Sequence, residues 1–349
     1  MGNNNGHSHP KVITTAQPEP PYTGPQAQYQ FVNVEVRMAV YGAFNFLSNQ
    51  MLTSNVDTYY PLLAQQYEQG FRLLTFYHIP MQARREGAFS MGVLMPFQGI
   101  FCKYPDTAQR GRFQLRIEKS VIQPRIIWNG LITYGNETVT DTTHLNQTIA
   151  NMAQSGARLI CIELTGQEEV KASFSFTPKL PVYGVDLFFE VPLDAESETY
   201  VYNVVSVPVI TKYGFASDPR VFCDWIGIFS QHLNRGFKLI EIFVDASKIK
   251  EVFKNEVRSN CLWFFEKPNS KINDETPVYQ GTIVEHYIKV TPSGFSDTRV
   301  STKWEPVMQD MGNKGWELAC IVETPEVHNT GLMTLEMKML LFFQKRILS

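Results

Sequence analysis

The sequence predicts an α+β fold of four tandem β-α-β-β units, made of mostly antiparallel sheets that each carry a helix on one face. The main observation is a pattern that occurs four times, in which a helix-like stretch ends in glycine and passes into an apolar strand. The glycines are Gly70, Gly156, Gly236 and Gly315, separated by 86, 80 and 79 positions. Such a period is the size of one small structural module, so we expect four related units rather than one undivided core.

Apolar residues on one face indicate the helix of each unit. The positions eleven residues before the glycines are Tyr59, Leu145, Trp225 and Trp304. Apolar residues recur three and four positions later in most units, which is the spacing of one helix face. We expect Tyr59, Trp225 and Trp304 to be core aromatics, together with Trp316 beside the last glycine. Each glycine is expected to end its helix, because only glycine adopts the left-handed conformation there without a side-chain penalty.

Strands complete each predicted unit. A leucine lies three residues after every glycine, at the start of an apolar strand, and a β-rich stretch opens each unit. A later strand carries adjacent rings in Phe188-Phe189, Phe264-Phe265 and Phe342-Phe343. These rings point to opposite faces, so we expect one of each pair to pack against another unit. The predicted organisation is a tether over residues 1–28, then units over residues 29–110, 111–195, 196–270 and 271–349.

The N-terminal tether is predicted to be disordered and to carry a lipid. Residues 1–28 are rich in Asn, Gln and Pro, a composition that cannot bury apolar surface. Gly2 follows the initiator Met, small uncharged residues follow it, and Gly6 stands where Ser or Thr is preferred, so the signal for N-myristoylation is permissive. The alternative is a plain flexible tail. One myristoyl chain gives only marginal binding, with an association constant on the order of 10⁴ M⁻¹, so we expect weak or switchable attachment to membrane lipid.

No catalytic motif is recognisable, and we therefore predict no enzyme, no cofactor and no metal site. Phosphate-binding loops, nucleophile elbows and zinc-protease motifs do not occur in the sequence. A net charge of −3 argues against a nucleic-acid partner. Five cysteines without paired spacing are expected to be buried small side chains, as at Cys161 and Cys320 in the strands after their glycines. Two other classes stay open: a soluble structural protein of a larger assembly, and a small-molecule binding protein with a groove between units.

Two family resemblances are carried by these motifs. Gly315-Trp316-Glu317-Leu318 and the late aromatic strand resemble a small bacterial strand–helix–strand–strand domain of unknown function. The first unit, from Tyr60-Pro61-Leu62-Leu63 to His78, and the last, through Trp304 and Gly315 to Thr324-Pro325, resemble the raftlin family. Raftlins carry a cysteine directly after Gly2, where this chain has Asn3, and a long polar insertion that this chain lacks.

The raftlin resemblance implies a function at membranes. It implies a non-enzymatic peripheral scaffold or adaptor at plasma-membrane lipid rafts, supporting receptor signalling or endocytic uptake. The location implied is the cytoplasmic face of the plasma membrane or of endosomes, with a cytosolic pool if attachment is weak. Protein partners are expected, and the sequence does not identify them.

Overall fold

The computed structural model describes most of the chain. It covers residues 11–13, 22–41, 51–80, 84–85, 93–104, 112–128, 136–168, 182–193, 198–214, 218–251, 255–293, 297–331 and 334–347. Gly2 lies outside the described residues, as does most of the predicted tether. Two parts of the tether are described. Lys11–Ile13 forms a strand, and the Ala27 N–H donates to the Gly312 carbonyl at 2.9 Å.

The described chain falls into four quarters that each contain one helix, preceded by the strand β1 (Lys11–Ile13). The first quarter consists of β2 (Gln28–Tyr41), β3 (Met51–Ser54), α1 (Val56–Glu68), β4 (Arg72–His78), β5 (Arg84–Arg85) and β6 (Val93–Lys103). The second consists of β7 (Phe113–Trp128), β8 (Asn136–Asp141), α2 (Thr143–Gln154), β9 (Arg158–Glu168) and β10 (Tyr183–Pro192). The third consists of β11 (Tyr200–Lys212), β12 (Arg220–Phe222), α3 (Trp225–Leu233), β13 (Lys238–Glu251) and β14 (Glu256–Pro268). The fourth consists of β15 (Tyr279–Ser293), β16 (Asp297–Ser301), α4 (Glu305–Asn313), β17 (Glu317–Asn329) and β18 (Leu335–Arg346), and a 3₁₀ turn, Asn269–Lys271, precedes it.

Three curled antiparallel sheets contain these strands, and two of the sheets share β7. The first part of β7 pairs with β10, ending at Ile122↔Tyr183, and its second part pairs with β8, starting at Gln123↔Asp141. The two joined sheets extend through the first three quarters. The remaining sheet contains the fourth quarter, with β1 added to the outer edge of β15.

Strands pair across two of the junctions between quarters. At the first junction β3 pairs with β9, with Thr53 opposite Gly166. At the second junction β8 pairs with β13, with Thr138 opposite Lys248. The short strands β3 and β8, which precede α1 and α2, therefore each pair with one strand of their own quarter and one strand of the next.

Proline occupies the corresponding place at the other two junctions. Gly166 lies ten residues after the glycine of its quarter, and Pro325 and Pro80 occupy that position in the fourth and first quarters. Proline has no N–H to donate to a ladder. Among the described strands, β12 does not pair with β17, and β16 does not pair with β4. At the third junction the Val221 N–H instead donates to the Glu326 side chain, at 3.3 Å.

Each of the four hydrophobic cores formed by the described residues lies between two quarters. Helix α1 packs over its own sheet and over Leu115 and Phe188 of the second quarter. Helix α2 packs in the same way over Phe264 of the third quarter, and α3 over Phe342 of the fourth. Helix α4 packs over Tyr29 of the first quarter. The chain is therefore closed into a ring, and the strands of each quarter lie between its own helix and the helix of the preceding quarter.

The predicted α+β class, with tandem β-α-β-β units that each have a helix on one face, is wrong. The structure is mostly β, and two of its three sheets contain strands of two quarters. The sequence did not reveal the strand before each helix, because strands such as Asn136–Asp141 are short and polar. The long strands also extend well beyond their apolar stretches, as β13 does to Glu251.

Candidate functional site on the axis of the ring

The strands that follow the four glycines surround a common axis. β4, β9, β13 and β17 contact one another in cyclic order, with β17 returning to β4. Each strand begins two residues after its glycine with a charged side chain, namely Arg72, Arg158, Lys238 or Glu317. These four side chains meet at one end of the axis.

Ion pairs connect these charges from quarter to quarter. Arg72 of the first quarter bonds to Glu190 of the second. Arg158 of the second quarter lies 2.5 Å from Glu266 of the third. Lys238 of the third quarter lies 2.5 Å from Glu317 of the fourth. The pairs follow the same cyclic order as the cores and strengthen the closed ring.

Each of the three acids also accepts a hydrogen bond from a tyrosine hydroxyl. Tyr67 donates to Glu190 at 3.1 Å, and Tyr202 donates to Glu266 at 3.1 Å. Tyr104 of the first quarter donates to Glu317 at 3.2 Å and so connects the fourth quarter to the first. Buried charges are tolerated when their partners satisfy them, and removing one partner of such a pair typically costs about 3–5 kcal/mol.

The cavity between these groups is small. It encloses about 90 Å³ and is lined by Arg72, Glu190, Arg158, Lys238 and Glu317, by the leucine that follows each strand's first residue, and by Gln344. Pockets for organic ligands usually enclose roughly 300–1,000 Å³. Each charged group here is paired with one of opposite charge, so these ion pairs and hydrogen bonds connect the four quarters to one another.

A buried carboxyl group lies deeper along the axis. Five residues after the glycines stand Thr75, Cys161, Glu241 and Cys320, and all four are buried. One oxygen of Glu241 accepts from the Ile242 N–H at 2.8 Å, and the other lies 3.3 Å from the N–H of Ile162 in the neighbouring strand. Burial raises the pKa of Glu241 to about 8. This carboxyl is therefore largely protonated at neutral pH.

The groups around Glu241 are perturbed in the same direction. Burial raises the pKa of Glu163 well above its ordinary value, and the carboxyl groups of Glu241 and Asp186 raise it further. Burial also raises the thiol pKa values of Cys161 and Cys320. Both cysteines are protonated at neutral pH and lack the thiolate that nucleophilic chemistry needs. Neither Glu163 nor Glu241 lines the axial cavity.

The four predicted turn glycines all adopt a left-handed conformation. Their φ angles are 80° at Gly70 and Gly156 and 78° at Gly236 and Gly315. The surroundings differ: a Cβ on Gly236 would lie 2.8 Å from the Thr276 carbonyl oxygen, whereas a Cβ on Gly70 would meet only the flexible Lys103 side chain, at 3.3 Å.

The predicted core aromatics lie at the junctions. The Tyr59 hydroxyl donates to buried Asp186 of the second quarter at 2.6 Å. Trp304 is buried, and its indole N–H donates to Gln98 of the first quarter at 2.7 Å. Trp225 is only partly buried and stacks on Trp263 with ring centroids 5.9 Å apart. The Trp316 ring lies beneath Lys345, with 4.6 Å from the ammonium nitrogen to the ring centroid.

Trp316 belongs to a set of cation–π pairs that the sequence analysis missed. An aromatic residue directly after the glycine packs beneath a lysine near the end of the late aromatic strand. The pairs are Phe71 with Lys103 at 5.5 Å, Phe237 with Lys267 at 5.0 Å, and Trp316 with Lys345. In the second quarter the two positions hold Ala157 and Val191. This joint replacement is the sequence signal that could have identified the pairs.

Other features of the described residues are limited. A surface cleft of about 460 Å³ lies at the third junction, between β12 and β17, and contains an Asp218–His328 pair at 2.7 Å. The described residues contain no cluster of three or more side chains arranged to hold a metal ion. Nor does any described helix have the length and apolar character needed to cross a bilayer.

These features define a closed ring of four helix-bearing quarters, joined around a charged axis. A sequence model of the Raftlin family matches residues 135–349, more than half of the chain, so this protein belongs to the Raftlin family. The resemblance to the raftlin family inferred from the sequence is confirmed. No solved structure matches the chain.

Two curated relatives show how distant the similarity is. Raftlin of Mus musculus is 21% identical over 158 residues, which cover 45% of this chain and 27% of the relative. Raftlin of Gallus gallus is 19% identical over 144 residues, which cover 41% of this chain and 23% of the relative. The chain thus matches about a quarter of the length of these relatives.

Proposed function

We propose that this protein is a raftlin-like peripheral membrane scaffold or adaptor, tethered through an N-myristoyl group on Gly2. Its place is the cytoplasmic face of plasma-membrane lipid rafts or of endosomes, where it supports receptor signalling or endocytic uptake. Membership of the Raftlin family is the observation that carries this proposal. The axial site is consistent with a scaffold, because its charges are matched to each other around a small cavity.

The proposed attachment is weak when it depends on one chain. A single myristoyl group binds membranes with an association constant on the order of 10⁴ M⁻¹, and stable anchoring needs a second signal. Position 3 is Asn3, so no cysteine stands beside Gly2 to accept a palmitoyl group. The first cysteine of the chain, Cys102, is buried in β6. A partner protein or a second copy must therefore strengthen the attachment.

Metabolic labelling tests the proposal. The full chain is expressed in eukaryotic cells with an alkyne analogue of myristate, as wild type, as Gly2→Ala and as Ser8→Ala. Ser8→Ala is the matched control, because it alters a small residue of the same segment that lies beyond the Met-Gly-x-x-x-Ser/Thr motif. We expect label on wild type and Ser8→Ala, loss of label on Gly2→Ala, and a corresponding fall in the membrane fraction on density-gradient flotation. Equal labelling and equal flotation of all three proteins would contradict the proposal.

A further inference from the structure

The outer edge of β15 shows that this fold accepts an added strand. Each quarter begins with a long strand, and that strand pairs along its inner edge with the late aromatic strand. On β15 the outer edge is occupied by β1, with Lys11 opposite Glu285 and Ile13 opposite Ile283. The backbone groups of Ile283 and Glu285 at this edge are thereby paired.

The corresponding edge of β11 can be located from its pairing. Tyr202 lies opposite Glu266 in β14, and Gly281 lies opposite Gln344 in β18. Glu266 and Gln344 each follow an adjacent pair of phenylalanines, so Tyr202 and Gly281 hold equivalent positions. Counting onward, Val204 and Ser206 of β11 correspond to the residues of β15 that β1 covers.

The backbone donors of Val204 and Ser206 face outward. At the end of β11, Ile210 lies opposite Phe222 and Thr211 opposite Val221 of β12. The Val221 N–H donates to Glu326, so it points away from β11. Because backbone donors alternate along a strand, the even-numbered residues of β11 present their N–H and C=O groups to the outer edge. These are Tyr202, Val204, Ser206 and Pro208.

The outer edge of β11 is uncharged over Tyr200–Val209, and no strand of the described residues pairs with it there. None of these ten residues is charged. Val204 is 38% exposed, Ser206 is exposed, and no described strand pairs with this part of the edge. Pro208 faces outward and lacks a donor, which limits pairing to the segment before it.

The equivalent segment of β7 is protected in two ways. It carries Arg116, Glu118 and Lys119. The carbonyl of Leu115 there accepts from the Tyr60 hydroxyl at 2.8 Å. Charged side chains are the usual protection of an edge strand against pairing with another chain. The edge of β11 lacks this protection, and the edge of β15 already holds a strand.

We propose that the outer edge of β11 pairs with the same edge of a second copy of this chain. The two strands run antiparallel about a two-fold axis at Val204, so that Val204 faces Val204 and Tyr202 faces Ser206 of the other copy. Such an isologous contact is self-complementary by symmetry. The outward donors and acceptors of Tyr202, Val204 and Ser206 are all paired in it, and no like charges are opposed.

The dimer also supplies a second membrane signal, a consequence that rests on the proposed function. Two copies joined at this edge carry two acyl chains, and binding of the second chain becomes intramolecular after the first. Stable attachment then follows from dimerisation without a palmitoyl group or a polybasic segment.

Charge substitution at the two-fold axis tests the contact. Val204→Lys and Val204→Glu each place like charges opposite each other, while a mixture of the two variants places opposite charges there. By light scattering after size exclusion, we expect wild type at about twice the 39.9 kDa mass of one chain. Each single variant is expected at the monomer mass, and the mixture at the dimer mass again.

Two controls locate the surface. Leu62→Lys changes an apolar side chain of α1 that is 45% exposed, and Asn33→Lys changes an exposed residue at the position of β2 that corresponds to Ser206. Both should stay dimeric. A monomeric wild type, or a dimer that survives in both Val204 variants or is lost in Asn33→Lys, would overturn the proposal. Unacylated Gly2→Ala protein should dimerise like wild type, so a failure of the dimer is distinguishable from a failure of acylation.

Discussion

Replacing the buried acid of the axis should change how the protein responds to pH. In the folded state the pKa of Glu241 is raised from its ordinary 4.5 to about 8, because the carboxyl is buried. The folded protein therefore keeps a proton that the unfolded chain loses as pH rises above 4.5. The free energy of unfolding falls as pH rises wherever the folded state binds more protons than the unfolded state. The contribution of Glu241 to the free energy of unfolding is greatest below pH 4.5, declines between pH 4.5 and about pH 8, and stays constant above that.

The magnitude follows from the same shift. One pKa unit corresponds to about 1.4 kcal/mol, so the rise to about 8 corresponds to a loss of about 5 kcal/mol in the free energy of unfolding across this range. Glu241→Gln keeps an oxygen acceptor for the Ile242 N–H and removes the titrating group. The variant should therefore be more stable than wild type in alkaline solution, and the difference should shrink as the solution becomes acidic.

The assay is urea unfolding followed by tryptophan fluorescence, at about pH 5 and about pH 9, on either side of most of this titration. Burial raises the pKa of Glu163 and steepens the loss in both proteins, and the neighbouring Glu241 carboxyl raises that pKa further, so the difference between the two proteins reports Glu241 together with its coupling to Glu163. Glu68→Gln, at an exposed position in α1, is the control and should follow wild type. If wild type and Glu241→Gln lose stability in parallel, the assignment of a protonated acid to the axis is wrong.

Two further comparisons test the junctions between quarters. Alanine at Gly70 or Gly236 places a side chain in the left-handed region, at a cost of about 1–2 kcal/mol in the free energy of unfolding. Gly236→Ala should cost more than Gly70→Ala, because its Cβ meets a backbone oxygen. Equal shifts of the thermal midpoint would contradict this difference. Trp304→Ala should cost about 3–5 kcal/mol in the free energy of unfolding, because it truncates a large buried side chain. Trp225→Ala should cost less, because that ring is partly exposed. Denaturant unfolding that ranks the two variants in the opposite order would disprove the burial assigned to these two rings.

Local features of the fold were accessible from the sequence. A helix face is encoded by residues three and four positions apart, and a left-handed turn by a single glycine. The sequence therefore indicated where Gly236 and its neighbours turn the chain, and the family itself could be recognised from motifs such as Gly315-Trp316-Glu317-Leu318. These signals depend on neighbours along the chain and not on what packs against them.

The candidate site was not accessible in the same way. Arg158 and Glu266 are separated by 108 positions, and nothing near either residue indicates that they meet. Glu241 is an ordinary glutamate in an apolar strand until the strand of Ile162 lies beside it. The cation–π pairs were partly accessible from the sequence. Phe237 and Lys267 occur together in one quarter and are both replaced in another, and this pattern is visible once the repeats are aligned.

The amino-acid sequence by itself determined the four helix ends, the strands that follow them and the membership of the family. Tertiary structure alone decided that short polar segments become strands, that each helix covers strands of two quarters, and that the fourth quarter returns to the first. The physical reason is range. Helix periodicity and glycine turns are set by adjacent residues, whereas strand pairing, ring closure and the protonation of Glu241 depend on groups brought together from distant positions.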